Sequence, residues 1–474
     1  MTNWSTHQQA IFTAVAEGEA NIFVRARAGT GKTTTIVEAL RHIPAGESAM
    51  LVAFNKSIAT ELSRRAPRGV EVSTLHSFGF KAVTSALGRF RVDARKVDTY
   101  LREVFSGRNL RDFRFAVQKT VSLAKGTLAQ DAESIDALID AHGICETCDK
   151  AQRSALIQAT LQTLEWCGQP ELTGSIDFDD MVWLPVVREL PVRRFDRLFV
   201  DEAQDLNACQ LELIWRVRGA RIVCVGDDRQ AIYGFRGADP EACERLIARF
   251  GMTVFPLSTT YRCATNIVAE AREIVSDYQA APFAPAGVVR ELSLDSAVEK
   301  IGAQDESPKA GDFILSRTNA PLVKLCLRLI ADGHRAKIAG RDIGTTLRAL
   351  AKKIGGRTVE NFRGRLDAWL AREVARLVKA ERDTTLVEDK AACLDALAEV
   401  SATLEELDGR IVALFSDQTD ESTIVLSTTH KAKGLERDRV FLLASTYRPG
   451  KSREEDNLLY VAITRARTEL IYLG

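Results

Sequence analysis

The stretch Asn21-Ile22-Phe23-Val24-Arg25-Ala26-Arg27-Ala28-Gly29-Thr30-Gly31-Lys32-Thr33-Thr34 decides the fold. Its first six residues, Asn21–Ala26, form a mostly apolar run with the length of a buried strand. Residues 26–33 follow with the spacing of a phosphate-binding loop, and a helical pattern begins at Thr33. Small residues in such a loop let backbone N–H groups wrap phosphate oxygens. Lys32 brings positive charge to the β- and γ-phosphates, and the Thr33 hydroxyl is placed to ligate Mg²⁺. Ala26 stands where Gly is usual, and it is small enough to keep the loop tight.

Outward from this loop, strand signals recur at Met50–Phe54, Leu198–Val200, Ile222–Val225, Val254–Leu257, near Phe313, and at Ser422–Ser427, Val440–Leu443 and Leu470–Leu473. Two stretches break the alternation of strand and helix. Residues 81–170 carry apolar positions at helical spacing, among them Leu101, Val104 and Phe105, then Ile135, Leu138 and Ile139. Residues 341–415 do the same, with Val359, Phe362, Leu366 and Trp369 on one stripe and Leu397, Val400, Leu404, Leu407, Ile411 and Leu414 on another. Pro282, Pro285 and Gly287 read as a linker. The expected class is α/β with mainly parallel sheets. The organisation is 1–80 and 171–280 for a first domain interrupted at 81–170, then 281–340 and 416–474 for a second interrupted at 341–415. Ligands then belong at the carboxyl ends of the strands.

Composition narrows the class. The 474 residues hold 64 Lys+Arg and 64 Asp+Glu, so the formal net charge is +0. That excludes a polycation that coats nucleic acid and an acidic solvating tail, but leaves room for a groove with local positive charge. No apolar run approaches the ~18–20 residues of a membrane helix. The start, Met1-Thr2-Asn3-Trp4-Ser5, lacks the basic-then-apolar pattern of a secretory signal. Nine cysteines over this length do not make a disulfide framework, and a reducing cytoplasm is the expected location.

The strand Leu198-Phe199-Val200 ends in Asp201-Glu202-Ala203-Gln204-Asp205. Carboxylates at that end of a strand face the phosphate loop. Asp201 is expected to hold Mg²⁺, mostly through water, and Glu202 to orient or deprotonate an attacking water. Just upstream, Asp177-Phe178-Asp179-Asp180 fits a helix N-cap at least as well as a direct role. His142, Cys145 and Cys148 have metal-like spacing, with Cys167 following, but no second Cys-x-x-Cys frames a zinc site, and ordinary thiols are the expected reading.

With these residues in place, the chain resembles the UvrD/Rep-like DNA helicases of superfamily 1 (SF1A) through an ordered series of motifs. Trp4-Ser5-Thr6-His7-Gln8 resembles the adenine-reading motif. Phe54-Asn55-Lys56 and Thr74-Leu75-His76-Ser77-Phe78 resemble the early DNA-contacting segments, and Asp201–Asp205 has the D-E-x-Q-D form. Residues 225–238, from Val225-Gly226-Asp227-Asp228-Arg229-Gln230 to Ala238, are the longest match. Thr260-Tyr261-Arg262 resembles the arginine motif that closes the first motor domain. Residues 428–436 and 459–466 complete the set.

The resemblance implies two RecA-like P-loop NTPase motor domains, each with a helical insertion, that use ATP and Mg²⁺. It implies that Gln8 reads adenine, Tyr261 stacks on it, and Gln230 senses the γ-phosphate. Arg262 and Arg465 approach that phosphate from opposite sides, and Gly434 and Glu436 lie near the phosphates and sugar. Ala26, Arg27, Ala28, Gly29, Thr30, Gly31, Lys32, Thr33 and Thr34 form the nucleotide cradle, with Thr34 where many relatives have an adenine-stacking Arg. Phe54, Asn55, Lys56, His76, Phe78, Tyr233, Phe235, Arg236 and His430 fall in positions that line the DNA groove. The implied activity is ATP-driven movement on single-stranded DNA and at single-strand/duplex junctions, of 3′→5′ polarity, with no membrane and no identifiable protein partner. The insertion at 341–415 is much shorter than in well-studied relatives, so two readings stay open: a helicase of DNA repair, replication or recombination, and a DNA-dependent ATPase that remodels or senses protein–DNA complexes with little unwinding, as a subunit beside a nuclease or in anti-phage defence. Nuclease chemistry has no spare carboxylate set to support it.

Overall fold

The computed structural model describes residues 4–107, 110–144, 149–217, 219–234, 241–293, 307–379, 383–415 and 422–474. The chain divides into two compact units between Ser258 and Thr259. The sequence-based boundary lies further on, at 280/281. The intervening segment packs on the second unit: the Ala264 N–H donates to the Arg467 carbonyl and Arg262 Nη1 to the Thr464 carbonyl.

In the first unit, six described strands form one all-parallel sheet: β1 (Ile22–Ala26), β2 (Ala49–Ala53), β3 (Val70–Thr74), β4 (Arg197–Val200), β5 (Arg221–Gly226) and β6 (Thr253–Leu257). Their order is β3-β2-β4-β5-β1-β6. Helices cover both faces, so the inner strands are apolar at consecutive positions. Alternate residues feed two cores. Ile22, Val24, Leu51, Phe199 and Val223 pack under the helices Thr6–Glu17 and Lys32–Ala39. Phe23, Met50, Val52, Leu198 and Cys224 face the other way, into a core that runs on into the first insertion through Val117, Val121, Ile135, Ile139 and Leu156. β3 carried no clear signal because its alternating residues, Val70-Glu71-Val72, are only half buried at the sheet edge.

The first insertion is built from the helices Lys96–Val104, Arg111–Thr127, Ala132–Ala141 and Lys150–Cys167. It is held to the sheet domain by a buried ion-pair cluster at the start of the helix Phe178–Val187. Asp177 caps that helix in a reciprocal capping box with Asp180. Lys125 Nζ lies 2.8 Å from Asp177 and 2.7 Å from Asp180, and Lys96 Nζ lies 2.7 Å from the other Asp180 oxygen. The acidic run is therefore a cap and an anchor. Cys167 comes within 4.8 Å of Asp177 and Asp180, the one such ligand group among the described residues. Burial pushes its thiol up to about 11, so it is protonated at neutral pH. Cys145 and Cys148 lie outside the described residues.

The second unit holds another all-parallel sheet of six described strands: β7 (Val288–Leu292), β8 (Phe313–Ser316), β9 (Ala336–Ile338), β10 (Ile424–Thr428), β11 (Arg437–Leu443) and β12 (Ala466–Leu473). The order is β7-β12-β11-β8-β10-β9. Between β9 and β10 stand the helices Arg341–Ile354, Val359–Lys379, Thr385–Glu399 and Leu404–Leu414. Their apolar stripes, including Phe362, Leu366, Leu407 and Ile411, are buried in a core continuous with Ile314 and Leu426 of the sheet. The Pro282–Gly287 segment is no loose linker. Gly287 has φ 70°, and a Cβ there would meet the Ala264 Cβ at 2.3 Å, so only glycine allows this crossing. No helix among the described residues is long and apolar enough to cross a membrane.

The anchor gives a stability prediction. Asp180→Ala leaves the buried Lys96 ammonium without its carboxylate and should destabilise the fold by about 3–5 kcal/mol. Asp98→Ala, which removes an exposed pair with Arg102, should cost less than about 1 kcal/mol. Denaturant unfolding of the two variants checks this; equal effects would contradict the anchoring role.

Candidate functional site

The loop after β1 turns through left-handed backbone at Gly29 (φ 68°) and Gly31 (φ 79°). An L-side chain there costs roughly 1–2 kcal/mol. A Cβ on Gly31 would meet nothing within 4 Å, so the requirement is conformational, and open space lies before the helix. Gly31 caps the helix Lys32–Ala39 without a side-chain bond, which leaves its first N–H groups aimed at that space. The Thr30 hydroxyl donates to the Arg27 carbonyl at 2.8 Å and closes the loop. The Arg27 N–H donates to the Leu257 carbonyl at 2.9 Å and pins the loop to β6. Ala26 and Ala28 are fully buried, Thr33 is half-buried at the helix start, and Thr34 is exposed beside Arg65 Nη2 at 3.4 Å.

Because β4, β5 and β1 are neighbours, their carboxyl ends bring three motifs together. Lys32 Nζ lies 3.3 Å from Glu202 Oε2. The Glu202 N–H donates to Asp201 Oδ1 at 2.9 Å, and Glu202 itself adopts φ 51°, a strained region for a residue with a Cβ. Gln204 donates to Glu202 and accepts from the Asp227 N–H at 3.0 Å. Gln230 Nε2 donates to Asp227 Oδ2 at 2.7 Å. Asp227 received no role from the sequence, yet it is fully buried at the centre of this network. The signal was available: an apolar strand running into an acidic residue, as at Asp201.

Electrostatics follow from burial and crowding. Burial, then the neighbouring Glu202 charge, pushes the Asp201 carboxyl up to about 7, against the pull of Lys32. Burial also raises Asp227, opposed by Lys32 and Arg27. Burial alone would lower the Lys32 ammonium, but Glu202, Asp227 and Asp201 together raise it above its ordinary value. The site is thus a fixed cation among carboxylates held against their preference. Gln8 is set by Ser5 through a reciprocal capping box and donates to Thr35 Oγ1 at 2.9 Å, on the helix that carries Lys32.

The second unit carries the remaining nucleotide candidates. Arg465 is 1% exposed and bonds to carbonyls: Nε to Val461 at 2.9 Å and Nη1 to Leu435 at 3.0 Å. Burial, then the nearby Arg262, lowers its guanidinium to about 10. Arg262 pairs with Glu436, which also accepts from Arg467 Nη2 at 2.7 Å. The motif Thr260–Arg262 therefore packs with the second unit and does not close the first. Arg262 and Arg465 both belong to the second unit. Tyr261 is 56% exposed, and Gly434 is exposed with φ 88°.

The DNA candidates separate by exposure. Phe54, at the end of β2, is 47% exposed, while Phe78 is 4% exposed and sits in the core against Phe195. Phe78 is thus a packing residue, a correction that follows from the inward face of its helix Leu75–Leu87. Asn55 caps the helix Lys56–Arg65 by accepting from the Ile58 N–H at 2.9 Å, and Lys56 is exposed at its first turn. Burial lowers the His76 imidazole, with Asp179 opposing, so His76 is neutral at pH 7. Tyr233 is half-buried in the first unit, and His430 is half-buried on the helix Thr429–Ala432 of the second. Phe235 and Arg236 lie outside the described residues.

Two parallel sheets, with a glycine-turned phosphate loop and paired carboxylates on the first, define the RecA-like P-loop class. Comparison with known proteins gives the family. Residues 4–251 match the model of the UvrD/REP helicase N-terminal domain, and residues 423–473 match that of the UvrD-like helicase C-terminal domain. The chain belongs to the UvrD/Rep-like helicase family. It is 28% identical to F-box DNA helicase protein 1 of Schizosaccharomyces pombe, over 94% of this chain and 55% of that protein. It is 28% identical to the ATP-dependent DNA helicase Rep of Escherichia coli, over 58% of this chain and 44% of the relative. With DNA helicase II of Escherichia coli the identity is 25%, over 56% of this chain and 39% of the relative. The chain spans about half the length of the curated relatives it matches.

The raised Asp201 carboxyl makes a pH prediction. The folded state binds a proton there that the unfolded state releases near the ordinary value of 3.8, so this group's contribution to stability falls as pH rises towards about 7. Asp201→Asn should therefore stabilise the metal-free protein at pH 8, by at least about 1 kcal/mol, and the gain should vanish towards pH 4. Thermal melting in a chelating buffer across this range tests it; a variant less stable at pH 8 would contradict the electrostatic picture.

Proposed function

We propose that this chain is an ATP-driven motor on single-stranded DNA: a helicase or translocase with 3′→5′ polarity, engaging single-strand/duplex junctions. The observation that carries the reading is the convergence of Lys32, Asp201, Glu202 and Gln230 at the carboxyl ends of three adjacent strands. The unit containing β1–β6 and the unit containing β7–β12 are read as the two motor domains, with 81–170 and 341–415 as their insertions. Thr33 and Asp201 offer a hydroxyl and a carboxylate, hard oxygen donors that suit Mg²⁺, and the buried charge on Asp201 is of the kind a divalent cation relieves. The metal would supply charge neutralisation at the terminal phosphates. In the protein, Lys32 binds those phosphates, Glu202 orients and deprotonates the attacking water, and Gln230 reports the γ-phosphate.

Arg465 and Arg262 add positive charge at the transferring phosphoryl group. Arg465 is suited to this because its guanidinium is held by carbonyls, which position it without neutralising it. On the DNA side, Phe54 offers a stacking face and Lys56 a phosphate contact, while a neutral His76 contributes hydrogen bonding. DNA as substrate is supported by the names of the relatives, which are DNA helicases. A cytoplasmic location fits the free cysteines among the described residues.

A second reading, an ATPase that remodels protein–DNA complexes with little unwinding, is favoured by one observation. The short second insertion commits its apolar stripes to a core shared with the sheet of its own unit. Strand displacement on tailed DNA duplexes of both polarities separates the two. Unwinding of the 3′-tailed substrate supports the helicase; DNA-stimulated ATP turnover with neither substrate unwound supports the second reading.

Two variants test the assigned roles. Arg465→Lys keeps the charge but not the planar fork, and should lower ATP turnover by roughly a thousandfold, the low end for a lost arginine finger, with nucleotide affinity little changed. Arg465→Ala is a poorer probe, because it also removes buried hydrogen bonds. Phe54→Ala should weaken single-strand binding by about 1–3 kcal/mol and leave DNA-free ATP turnover intact. An equal loss of DNA-free turnover would make Phe54 structural.

A further inference from the structure

The phosphate-loop pattern specifies no side chain at its second position, so a side chain there is free to serve another role. Arg27 occupies that position, and its side chain turns away from the loop and is buried. Arg27 Nη1 lies 2.8 Å from Asp228 Oδ1 and 3.2 Å from Asp227 Oδ1. The other oxygen of Asp227 accepts from Gln230 Nε2 at 2.7 Å. The Arg27 carbonyl meanwhile holds the Thr30 hydroxyl at the far side of the loop. One residue thus grips the loop with its backbone and the Asp227–Gln230 turn with its side chain.

We propose that Arg27 is a positioning residue that sets the spacing between the phosphate loop and the carboxamide of Gln230. The inference rests on the nucleotide reading above and adds a role to that site. The guanidinium neutralises two buried carboxylates at the end of β5: its Nη1 bridges Asp227 and Asp228 with one charge-assisted bond to each, and ties the two together. Asp227, so held, aims Gln230. Movement of the loop on phosphate binding is passed through Arg27 to the turn that carries Gln230. Arg27 acts on turnover through Asp227 and makes no phosphate contact of its own.

The test measures DNA-stimulated ATP turnover for the full chain and for Arg27→Ala, Arg27→Lys, Gln230→Ala and the Arg27→Ala/Gln230→Ala double variant. Binding of a fluorescent ATP analogue and thermal melting are followed in parallel. Arg27→Ala should lower kcat by about tenfold to a hundredfold, the scale of an ångström-sized misplacement, while nucleotide affinity changes by less than about threefold. Arg27→Lys should recover part of the loss. The double variant should be no slower than Gln230→Ala alone, within about twofold, because both changes break one chain of contacts.

Losses that multiply in the double variant would overturn the proposal. So would a fall in nucleotide affinity that parallels the fall in kcat, which would make Arg27 a phosphate ligand. Should Arg27→Ala fail to fold, Arg27→Lys combined with Gln230→Ala decides the same question. A wild-type chain that hydrolyses no ATP overturns the functional reading itself, and this inference with it.

Discussion

The phosphate-loop site of the first unit is organised around one cation. Lys32 stands among Glu202, Asp201 and Asp227, and without it three carboxylates at the ends of neighbouring strands would have no shared counter-charge. Isolated buried carboxylates protonate rather than remain charged. Lys32 and Arg27 keep this cluster partly ionised, and the cluster in turn keeps Lys32 charged although it is buried. The arrangement holds negative charge where a metal would sit and positive charge where phosphate would sit. The strained backbone of Glu202 belongs to the same design, since strain of this kind persists only where the surroundings over-determine it.

The second unit uses a different device. Arg465 sits wholly inside the protein with carbonyl partners, so its charge is oriented but not neutralised. Glu436 is shared by Arg262 and Arg467. The zero net charge of the chain is consistent with this economy of placed charges. A grip on DNA that relies on an exposed ring such as Phe54 and a few cations is releasable, whereas a uniformly basic surface binds whether or not ATP is present.

Much of this was legible in the sequence because it is written in local pattern. The strand–loop–helix at 22–39 and the acidic end of β4 announce themselves through runs of apolar residues and the residue types that follow. The two helical insertions show in their 3.6-residue stripes. What the sequence hid was set by tertiary context. Phe78 and Phe54 both follow strand ends, and only the packing of the helix Leu75–Leu87 against the sheet buries one and not the other. Val70–Thr74 and Ala336–Ile338 are short edge strands with weak alternation. The roles of Arg27 and Asp227, and the capping and anchoring by Asp177 and Asp180, depend on partners far away in the chain. No spacing rule reaches them.

The claim on which the account stands is that the carboxyl ends of β4, β5 and β1 form the nucleotide phosphate site. Amide hydrogen exchange, measured with and without a non-hydrolysable ATP analogue and Mg²⁺, tests it directly. The account predicts slowed exchange at residues 27–34, 201–205 and 227–230. It also predicts that the protection is lost in Lys32→Met. Nucleotide binding that leaves these segments unchanged, or protects another face of the sheet, would contradict it.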